Sequence, residues 1–266
     1  MKAVLRYPGS KWGLAKWIIS HFPSHHSYLE PFFGSGAVLF NKPRSNIETI
    51  NDLDGNVVNL FRWIKHDPAR LAHEIYLTPY ARQVYEDAFA QEPTDSLEKA
   101  VNFYTRLQMG HGFRTTGERV GWKNDVQGRE RAYAARDWCK LPEKIMQAAE
   151  RLREVQIECR PAVEVIRRFN SPKVLVYANP PYVLSTRHGK QYRHELDIEG
   201  HEELLDVLMA HKGPVLISGY DNPLYQDKLK GWHREQRDVR TKSLAIKQET
   251  LWMNFEPEEQ IKFAGI

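Results

Sequence analysis

Cysteine is scarce in this chain, whose 266 residues include only Cys139 and Cys159. Two cysteines are too few for a disulfide framework or a cysteine-ligated zinc site, which excludes the small secreted folds that depend on either. The eleven histidines are scattered, and none stands with carboxylates or cysteines at the spacing of a metal site. We therefore expect no bound metal.

Long apolar runs are also absent. No stretch approaches the roughly 20 residues that cross a bilayer, and the start of the sequence lacks the apolar core and small-residue cleavage site of a secretory signal. We expect a soluble protein, cytoplasmic and monomeric, with no membrane partner. The excess of positive charge is small, because 38 Lys and Arg face 34 Asp and Glu for a net charge of +4. This charge permits a polyanionic partner without requiring one.

The composition is that of a folded globular chain. A hydrophobic share of 41% with 11% aromatic residues excludes wholesale disorder. A chain of this length forms one large α/β domain, or one such domain that carries an insertion.

Strand and helix patterns alternate at both ends of the chain. Predicted strands lie at residues 27–30, 47–50, 155–158, 173–178 and 214–218. Predicted helices start at Ala37, run over 56–65 and 163–169, and end at 210. A final antiparallel strand at 249–255 is predicted on the sheet edge. Such alternation predicts a parallel, doubly wound α/β sheet.

The alternation stops between residues 66 and 153, where the patterns are mostly helical and a glycine-rich, basic break covers 110–128. We predict one α/β domain built from residues 1–65 and 154–266. An inserted domain of residues 66–153 interrupts it.

Two segments at predicted strand ends have the character of a ligand site. Residues 30–36 read Glu-Pro-Phe-Phe-Gly-Ser-Gly, and glycines there let the backbone approach a ligand next to a helix N-terminus. The segment lacks the spacing of the dinucleotide fingerprint and of the phosphate loop, so a tight turn without a ligand is the competing interpretation. Asp52 follows the second strand, where an acid can accept both hydroxyls of a ribose. Because Asp54 is the better helix cap, Asp52 is left for the ligand.

Asn179-Pro180-Pro181-Tyr182 directly follows the buried strand 173–178. It therefore lies at the carboxyl edge, where open α/β sheets place their active sites. The two prolines stiffen the backbone and remove two N–H donors. The Asn179 amide oxygen can accept a hydrogen bond from an amino group, and Tyr182 offers a flat face on which a base can stack. A proline-rich turn that ends a strand is the competing interpretation.

Four motifs stand in a specific order: Tyr7-Pro8-Gly9-Ser10-Lys11, residues 30–36, Asn51-Asp52-Leu53-Asp54 and Asn179-Pro180-Pro181-Tyr182. In this order the sequence resembles the Dam-like adenine-specific DNA methyltransferases. The segment 66–153 fits that family's DNA target-recognition domain. The resemblance implies a Rossmann-like methyltransferase sheet with an inserted, mostly helical target-recognition domain, in a bacterial cell or a phage-infected host.

The resemblance also implies a reaction. The cofactor would be S-adenosylmethionine, the product S-adenosylhomocysteine, and the acceptor the exocyclic amine of adenine in double-stranded DNA, with no metal. By position, the cofactor-binding residues are Tyr7, Lys11, Phe32, Phe33, Gly34, Ser35, Gly36, Asp52 and Asn179. The catalytic residues are Asn179, Pro180, Pro181 and Tyr182, acting on a base flipped out of the duplex.

Asn179 departs from the family pattern, which has Asp before Pro-Pro-Tyr. Asn stands at this position in other amino-methyltransferase classes, including enzymes that act on DNA adenine and on protein glutamine. Two alternatives therefore stay open: a protein-glutamine or RNA amino-methyltransferase, and a weakly active or inactive DNA-binding relative. Asn179 itself is either natural or an engineered change that slows turnover. The N-terminal motif and the basic insertion favour DNA as the substrate.

Positive charge concentrates in the insertion. Between residues 106 and 140, eight basic side chains face four acidic ones, a local charge of 8 − 4 = +4. The residues predicted to bind DNA are Arg114, Thr115, Thr116, Arg119 and Lys123. A solvated basic loop is the competing interpretation. A second basic stretch, 228–247, is predicted to add phosphate contacts, and residues 184–197 to form a mobile loop over the flipped base.

Overall fold

The computed structural model of the chain describes residues 3–90, 93–112, 114–126, 133–187, 189–240 and 246–257. The strands are β1 (Ser27–Glu30), β2 (Ile47–Asn51), β3 (Val155–Glu158), β4 (Val174–Ala178), β5 (Val215–Tyr220), β6 (His233–Arg240) and β7 (Ile246–Met253). The helices are α1 (Ala15–Ile19), α2 (Gly55–His66), α3 (Pro68–Leu77), α4 (Arg82–Asp87), α5 (Ser96–Met109), α6 (Ala134–Trp138), α7 (Leu141–Leu152), α8 (Ala162–Arg168), α9 (Ile198–Met209) and α10 (Pro223–Lys228). A short 3-10 turn spans Leu184–Thr186.

The seven strands form one sheet in the order β3-β2-β1-β4-β5-β7-β6. Strands β1 to β5 are parallel to one another, and β7 lies antiparallel between β5 and β6. The chain moves outward in one direction from β1 to β3 and in the other from β4, so the strand order reverses between β1 and β4. Such a reversal opens a crevice at the carboxyl ends of the strands. The predicted Rossmann-like methyltransferase fold is confirmed.

Side chains on the sheet alternate between two apolar cores. On β4, Leu175 and Tyr177 belong to the larger core, which is shared with α2, α3, α5 and α7. Val174, Val176 and Ala178 belong to the smaller core, which is shared with α8, α9 and α10. Burial on both faces explains why β4 is almost continuously apolar.

Helices α3 to α7 occupy the predicted insertion, so its helical character is confirmed. Helices α3, α5 and α7 pack against α2. Their apolar side chains, such as Leu71, Tyr104 and Ile145, lie in the same core as Phe61 of α2. Across the described residues the insertion is therefore joined to the sheet by continuous apolar packing. The boundary of a separate recognition domain at residues 66 and 153 stays a prediction.

The helix predicted to start at Ala37 is wrong, because residues 37–42 form successive turns. The side-chain Nδ2 of Asn41 donates to the Ala37 carbonyl at 2.7 Å. It takes the acceptor that the Asn41 backbone N–H would use in a helix. That N–H bonds instead to the Val38 carbonyl at 3.0 Å, and Pro43 prevents further helical pairing.

The position predicted for the last strand is also wrong. Strand β7 is antiparallel as expected, but β6 is the edge strand and β7 lies inside the sheet. The sequence His-Arg-Glu-Gln-Arg-Asp-Val-Arg of β6 lacks an apolar alternation, so no strand is predicted there. Charged side chains on an edge strand oppose edge-to-edge association. Much of the second basic stretch therefore lies on this edge strand.

Gly36 packs where the loop after β1 meets α2. Its φ angle is +66°, and a Cβ at this position would lie 2.7 Å from the ring of Phe40 and closer still to that of Phe33. The Phe33 ring packs edge-on against Phe61 of α2, with centroids 4.8 Å apart. The loop therefore depends on a residue without a side chain at position 36.

We expect Gly36→Ala to lower the free energy of unfolding by about 2–4 kcal/mol, because it combines a left-handed backbone with overpacking against two aromatic rings. Gly13→Ala is the matched control, since a Cβ there meets nothing within 4 Å. Urea unfolding followed by circular dichroism measures both variants. Equal stabilities for the two variants would contradict the packing described for Gly36.

Candidate active site

A cavity of about 220 Å³ opens at the carboxyl ends of β1, β2 and β4. Most of the predicted site residues line it: Tyr7, Lys11, Phe32, Phe33, Gly34, Ser35, Asp52, Asn179 and Pro181. Gly36, Pro180 and Tyr182 do not line it. The structure thus places the N-terminal motif, the loop after β1, Asp52 and Asn179 around one space.

The N-terminal motif packs directly on the loop after β1. The hydroxyls of Ser10 and Ser35 are 2.7 Å apart and share a hydrogen bond. A Cβ on Gly34 would lie 2.9 Å from the ring of Tyr7. Since φ at Gly34 is +49°, glycine meets both the steric and the backbone requirement there. Within the motif, the Lys11 Nζ donates to the backbone carbonyl of Gly9 at 2.7 Å.

Asp52 joins the loops that follow β1 and β2. Its Oδ2 accepts from the Gly34 backbone N–H at 2.8 Å, and its Oδ1 accepts from that of Asp54 at 2.9 Å. Burial raises the pKa of the Asp52 carboxyl to about 7 and outweighs these two hydrogen bonds, while the nearby Asp54 charge raises it further. Asp52 therefore changes charge near neutral pH at the wall of the cavity.

Asp54 caps helix α2, as predicted from the sequence. Its Oδ1 accepts from the Asn56 backbone N–H at 3.0 Å. Its Oδ2 is buried and has no hydrogen-bond partner among the described residues, although Asp54 lines the cavity. Burial raises the pKa of this carboxyl as well. A buried carboxylate oxygen without a donor is costly, because it has lost its bonds to water without replacing them.

Asn179 is half-buried at the end of β4, and its carboxamide is held from inside the sheet. The Ser218 hydroxyl on β5 donates to Asn179 Oδ1 at 3.0 Å. The Tyr177 hydroxyl lies 3.0 Å from the same Ser218 oxygen. The Asn179 side chain thus has a defined orientation at the cavity wall.

Tyr182 is held in place by contacts with Glu249, Lys11 and Tyr220. Its hydroxyl donates to the carboxylate of Glu249 on β7. The Lys11 Nζ lies 3.5 Å from the same carboxylate and 4.6 Å from the centre of the Tyr182 ring. Tyr220 packs edge-on against that ring, with centroids 4.7 Å apart. Burial lowers the pKa of Lys11, and the Glu249 charge opposes that shift.

Two acidic residues of the site are absent from the predicted site residues, although one of them, Glu30, belongs to the segment 30–36. Glu249 is the one acidic residue in the sequence of β7, and its register opposite Tyr220 places it at the carboxyl end of β5. A lone acid in a predicted buried strand is the signal that could have identified it. Glu30 is buried at the end of β1 and accepts from the Tyr28 hydroxyl at 2.8 Å. Burial raises the pKa of Glu30 to about 8.

The segment 189–197 forms one wall of the cavity. The buried ion pair of Arg187 and Glu195 closes it into a loop. Glu195 also accepts from the backbone N–H groups of Gln191 and Tyr192, at 2.7 and 3.0 Å. The Tyr192 ring packs 6.0 Å from that of Tyr7. The mobility predicted for residues 184–197 stays a prediction.

The residues predicted to bind DNA differ in exposure. Arg114 and Arg119 are exposed, and each lies in a loose ion pair, with Glu118 at 3.5 Å and Glu86 at 3.8 Å. Thr116 and Lys123 are half-buried. The Lys123 backbone N–H donates to the Met109 carbonyl at 2.7 Å.

Thr115 is buried and contacts the cavity wall rather than solvent. Its backbone N–H donates to the Gln191 carbonyl at 2.9 Å. Its hydroxyl oxygen accepts from the Arg193 backbone N–H at 3.0 Å. In this structure Thr115 therefore links the insertion to the loop 189–197.

Two negative findings concern the described residues alone. They contain no group of three or more His, Cys, Asp and Glu side chains that could hold a metal ion. None of their helices is both long enough and apolar enough to cross a membrane.

Comparison with known proteins agrees with this geometry. The model of the D12 class N6 adenine-specific DNA methyltransferases matches residues 7–242. The DNA adenine methylase of Salmonella typhi is 25% identical over 241 residues, which cover 85% of this chain and 83% of that protein. The DNA adenine methylase of Vibrio cholerae serotype O1 is 25% identical over 194 residues, or 70% of this chain and 67% of that protein. A DNA N-6-adenine-methyltransferase of Escherichia phage P1 is 25% identical over 108 residues, or 38% and 14%.

The family match spans the N-terminal motif, the loop after β1, Asp52 and the Asn-Pro-Pro-Tyr motif, which are the segments that surround the cavity. The chain therefore belongs to the family of D12 class N6 adenine-specific DNA methyltransferases.

Proposed function

We propose that this protein transfers a methyl group from S-adenosylmethionine to the exocyclic amine of adenine in a specific sequence of double-stranded DNA. The observation that carries the proposal is that Asn179 lies in the wall of the same cavity as Asp52 and Gly34. A hydrogen-bond acceptor for an amine and a carboxylate suited to a ribose thus face one space.

The residues of the cavity suit S-adenosylmethionine. Asp52 offers carboxylate oxygens to ribose hydroxyls. The Tyr7 ring packs directly against Gly34 and supplies an apolar wall of the cavity. When bound, this cofactor supplies a methyl group attached to a positively charged sulfur, which makes the methyl carbon electrophilic.

Asn179 and Pro180 position the amine. The adenine amine is a weak nucleophile because its lone pair is delocalised into the ring. Hydrogen bonds from the amine to Asn179 Oδ1 and to the Pro180 carbonyl favour a pyramidal nitrogen with a directed lone pair. The nitrogen would attack the methyl carbon as the carbon–sulfur bond breaks with its electron pair staying on sulfur, and the methylated nitrogen would then release one proton to solvent. This attack depends on orientation more than on a strong base.

The adenine amine is inaccessible inside a duplex, so the base has to be flipped out before it reaches Asn179. Tyr182 is our candidate for stacking on the flipped base. The hydrogen bond to Glu249 holds the Tyr182 ring in a fixed plane. Lys11 lies over this ring, and the basic side chains of the insertion are our candidates for contacts to the DNA backbone.

Transfer of tritium from methyl-labelled S-adenosylmethionine tests the proposal directly. We expect label in unmethylated duplex DNA, recovered as N6-methyladenine after digestion to nucleosides. RNA duplexes, a mixed protein acceptor and a duplex whose adenines already carry N6-methyl groups are the controls. Label in protein or RNA but not in DNA would contradict the proposal, as would an Asn179→Ala variant as active as the parent.

Asp52 is expected to make cofactor binding dependent on pH. Asp52→Ala should weaken S-adenosylmethionine binding by about 1.5–3 kcal/mol, roughly 10- to 150-fold in Kd, because a charge-assisted contact is lost. With a pKa of about 7, the Asp52 carboxyl is mostly neutral at pH 6 and ionised at pH 8. Hydroxyl donors favour the ionised form, so affinity should rise about 10-fold across this range in the parent only.

Calorimetry at several pH values measures the dependence on Asp52. Titration of the cofactor itself is common to both proteins and cancels in the comparison. Asp67→Ala is the matched control, because Asp67 caps α3 through Arg70 and does not line the cavity. Equal affinity and equal pH dependence in Asp52→Ala and the parent would remove Asp52 from the cofactor site.

Asn179→Asp tests the role of the amide. A carboxylate accepts hydrogen bonds at both oxygens and places negative charge beside an amine that becomes positive during transfer. This interaction strengthens in the transition state, so the chemical step should change more than binding. We expect DNA affinity within a few-fold of the parent and a single-turnover methylation rate about 10-fold higher or more. A slower rate would show that the site is built around the amide.

DNA binding should depend on the exposed arginines of the insertion. We expect Arg114→Ala and Arg119→Ala each to weaken duplex binding and to flatten the log–log salt dependence by about 0.9, if each arginine contacts one phosphate. Cofactor affinity should be unchanged. Arg153→Ala is the control, since Arg153 is an exposed residue at the end of α7 that pairs with Glu150. Fluorescence anisotropy measures duplex binding. If both insertion variants bind duplex DNA as the parent does, these arginines do not contact DNA and the segment is a solvated basic loop.

A further inference from the structure

A chain of three polar side chains joins two residues that line the cavity, Tyr177 and Asn179, through Ser218 on the neighbouring strand. The Tyr177 hydroxyl lies 3.0 Å from the Ser218 hydroxyl, which lies 3.0 Å from Asn179 Oδ1. Tyr177 is 1% exposed and Ser218 is fully buried. Neither residue belongs to the four sequence motifs.

The position of these groups follows from strand periodicity. Leu175, Tyr177 and Asn179 point to the same face of the sheet because they alternate along one strand. On the neighbouring strand β5, Leu216 and Ser218 share that face. In this register Tyr177 lies beside Leu216, and Ser218 follows on the same face at the level of Asn179.

The direction of the two hydrogen bonds is determined at the buried end of this chain. Within the described residues, Ser218 is the sole hydrogen-bond partner of the Tyr177 hydroxyl. Burial raises the pKa of this phenol well above its usual value, so it keeps its proton. A buried proton without an acceptor is costly, so Tyr177 donates to Ser218. The Ser218 proton is then directed to Asn179, where it requires an oxygen rather than an NH2 group.

We propose that Tyr177 and Ser218 are positioning residues that fix the orientation of the Asn179 carboxamide. An amide oxygen has two lone pairs. One accepts from Ser218, and the other is left for the amine of the substrate. Rotation of the carboxamide by 180° would bring its NH2 group against the Ser218 proton and remove the acceptor from its place. The inference rests on the proposed function, in which Asn179 accepts a hydrogen bond from adenine.

An amide side chain has to be held in one orientation to present its oxygen, whereas a carboxylate does not. The two ends of the Asn179 side chain differ, so only one orientation works. A carboxylate presents an acceptor oxygen in either orientation. The positioning role of Tyr177 and Ser218 should therefore depend on the residue at position 179, whereas a general packing role would not.

Single-turnover methylation in a double-mutant cycle tests this dependence. We expect Tyr177→Phe and Ser218→Ala to slow the parent by about 10-fold, the effect of one lost hydrogen bond in the transition state. In an Asn179→Asp background the same changes should cost less than about 3-fold. Tyr225→Phe is the control, because it also removes a buried phenol hydroxyl but one that bonds to His201. Equal losses in both backgrounds would overturn the proposal.

A second measurement does not require activity. The side-chain NH2 signals of Asn179, identified by their loss in Asn179→Asp, should form one pair in the 15N-labelled parent. In Tyr177→Phe and Ser218→Ala the signals should shift or split as the carboxamide becomes free to rotate, with melting temperatures confirming folded variants. Unchanged signals in both would overturn the positioning role. A parent that methylates no DNA would overturn the proposed function instead, and the signals would still test the orientation.

Discussion

The two hydrogen bonds that Asp52 accepts from the backbone determine the shape of the cavity. One comes from Gly34 in the loop after β1, and the other from Asp54 at the start of α2. They join the ends of two neighbouring parallel strands through one carboxylate. The same carboxylate faces the cavity, so the residue proposed to bind the ribose also orders the loop around it. Because this carboxyl is buried, its charged form is destabilised and its pKa rises to about 7.

The antiparallel strand β7 brings an acidic side chain to the site that a purely parallel sheet would not place there. Parallel strands place only their carboxyl ends at the site. Because β7 runs antiparallel to β5, the first residues of β7 lie at that same edge of the sheet. Its residue Glu249 therefore lies beside Tyr220 of β5 and reaches Tyr182 and Lys11. A buried carboxylate is stable in such a place only with donors and a cation nearby. Tyr182 and Lys11, which are far apart in the sequence, supply both.

Much of this arrangement could be predicted from sequence, because it depends on order and periodicity. The buried strands, the placement of Asp52 and Asn179 at strand ends, and the capping role of Asp54 all follow from local patterns. Strand β6 could not be predicted, since an edge strand needs no apolar alternation. The turns at 37–42 were missed because one side chain, Asn41, competes with the backbone for an acceptor. Glu249 and Ser218 reach the site only through strand pairing, which a linear pattern does not reveal.

The insertion contacts one wall of the cavity through a buried threonine. Thr115 belongs by sequence to the basic insertion, but its backbone and hydroxyl bond to Gln191 and Arg193. Between these two residues, Tyr192 packs toward Tyr7 at the cavity. A displacement of the insertion that moved Thr115 would break hydrogen bonds that support the Tyr192 wall. The exposed residues Arg114 and Arg119 therefore belong to a segment that is hydrogen-bonded to one wall of the cavity lined by Asp52 and Asn179.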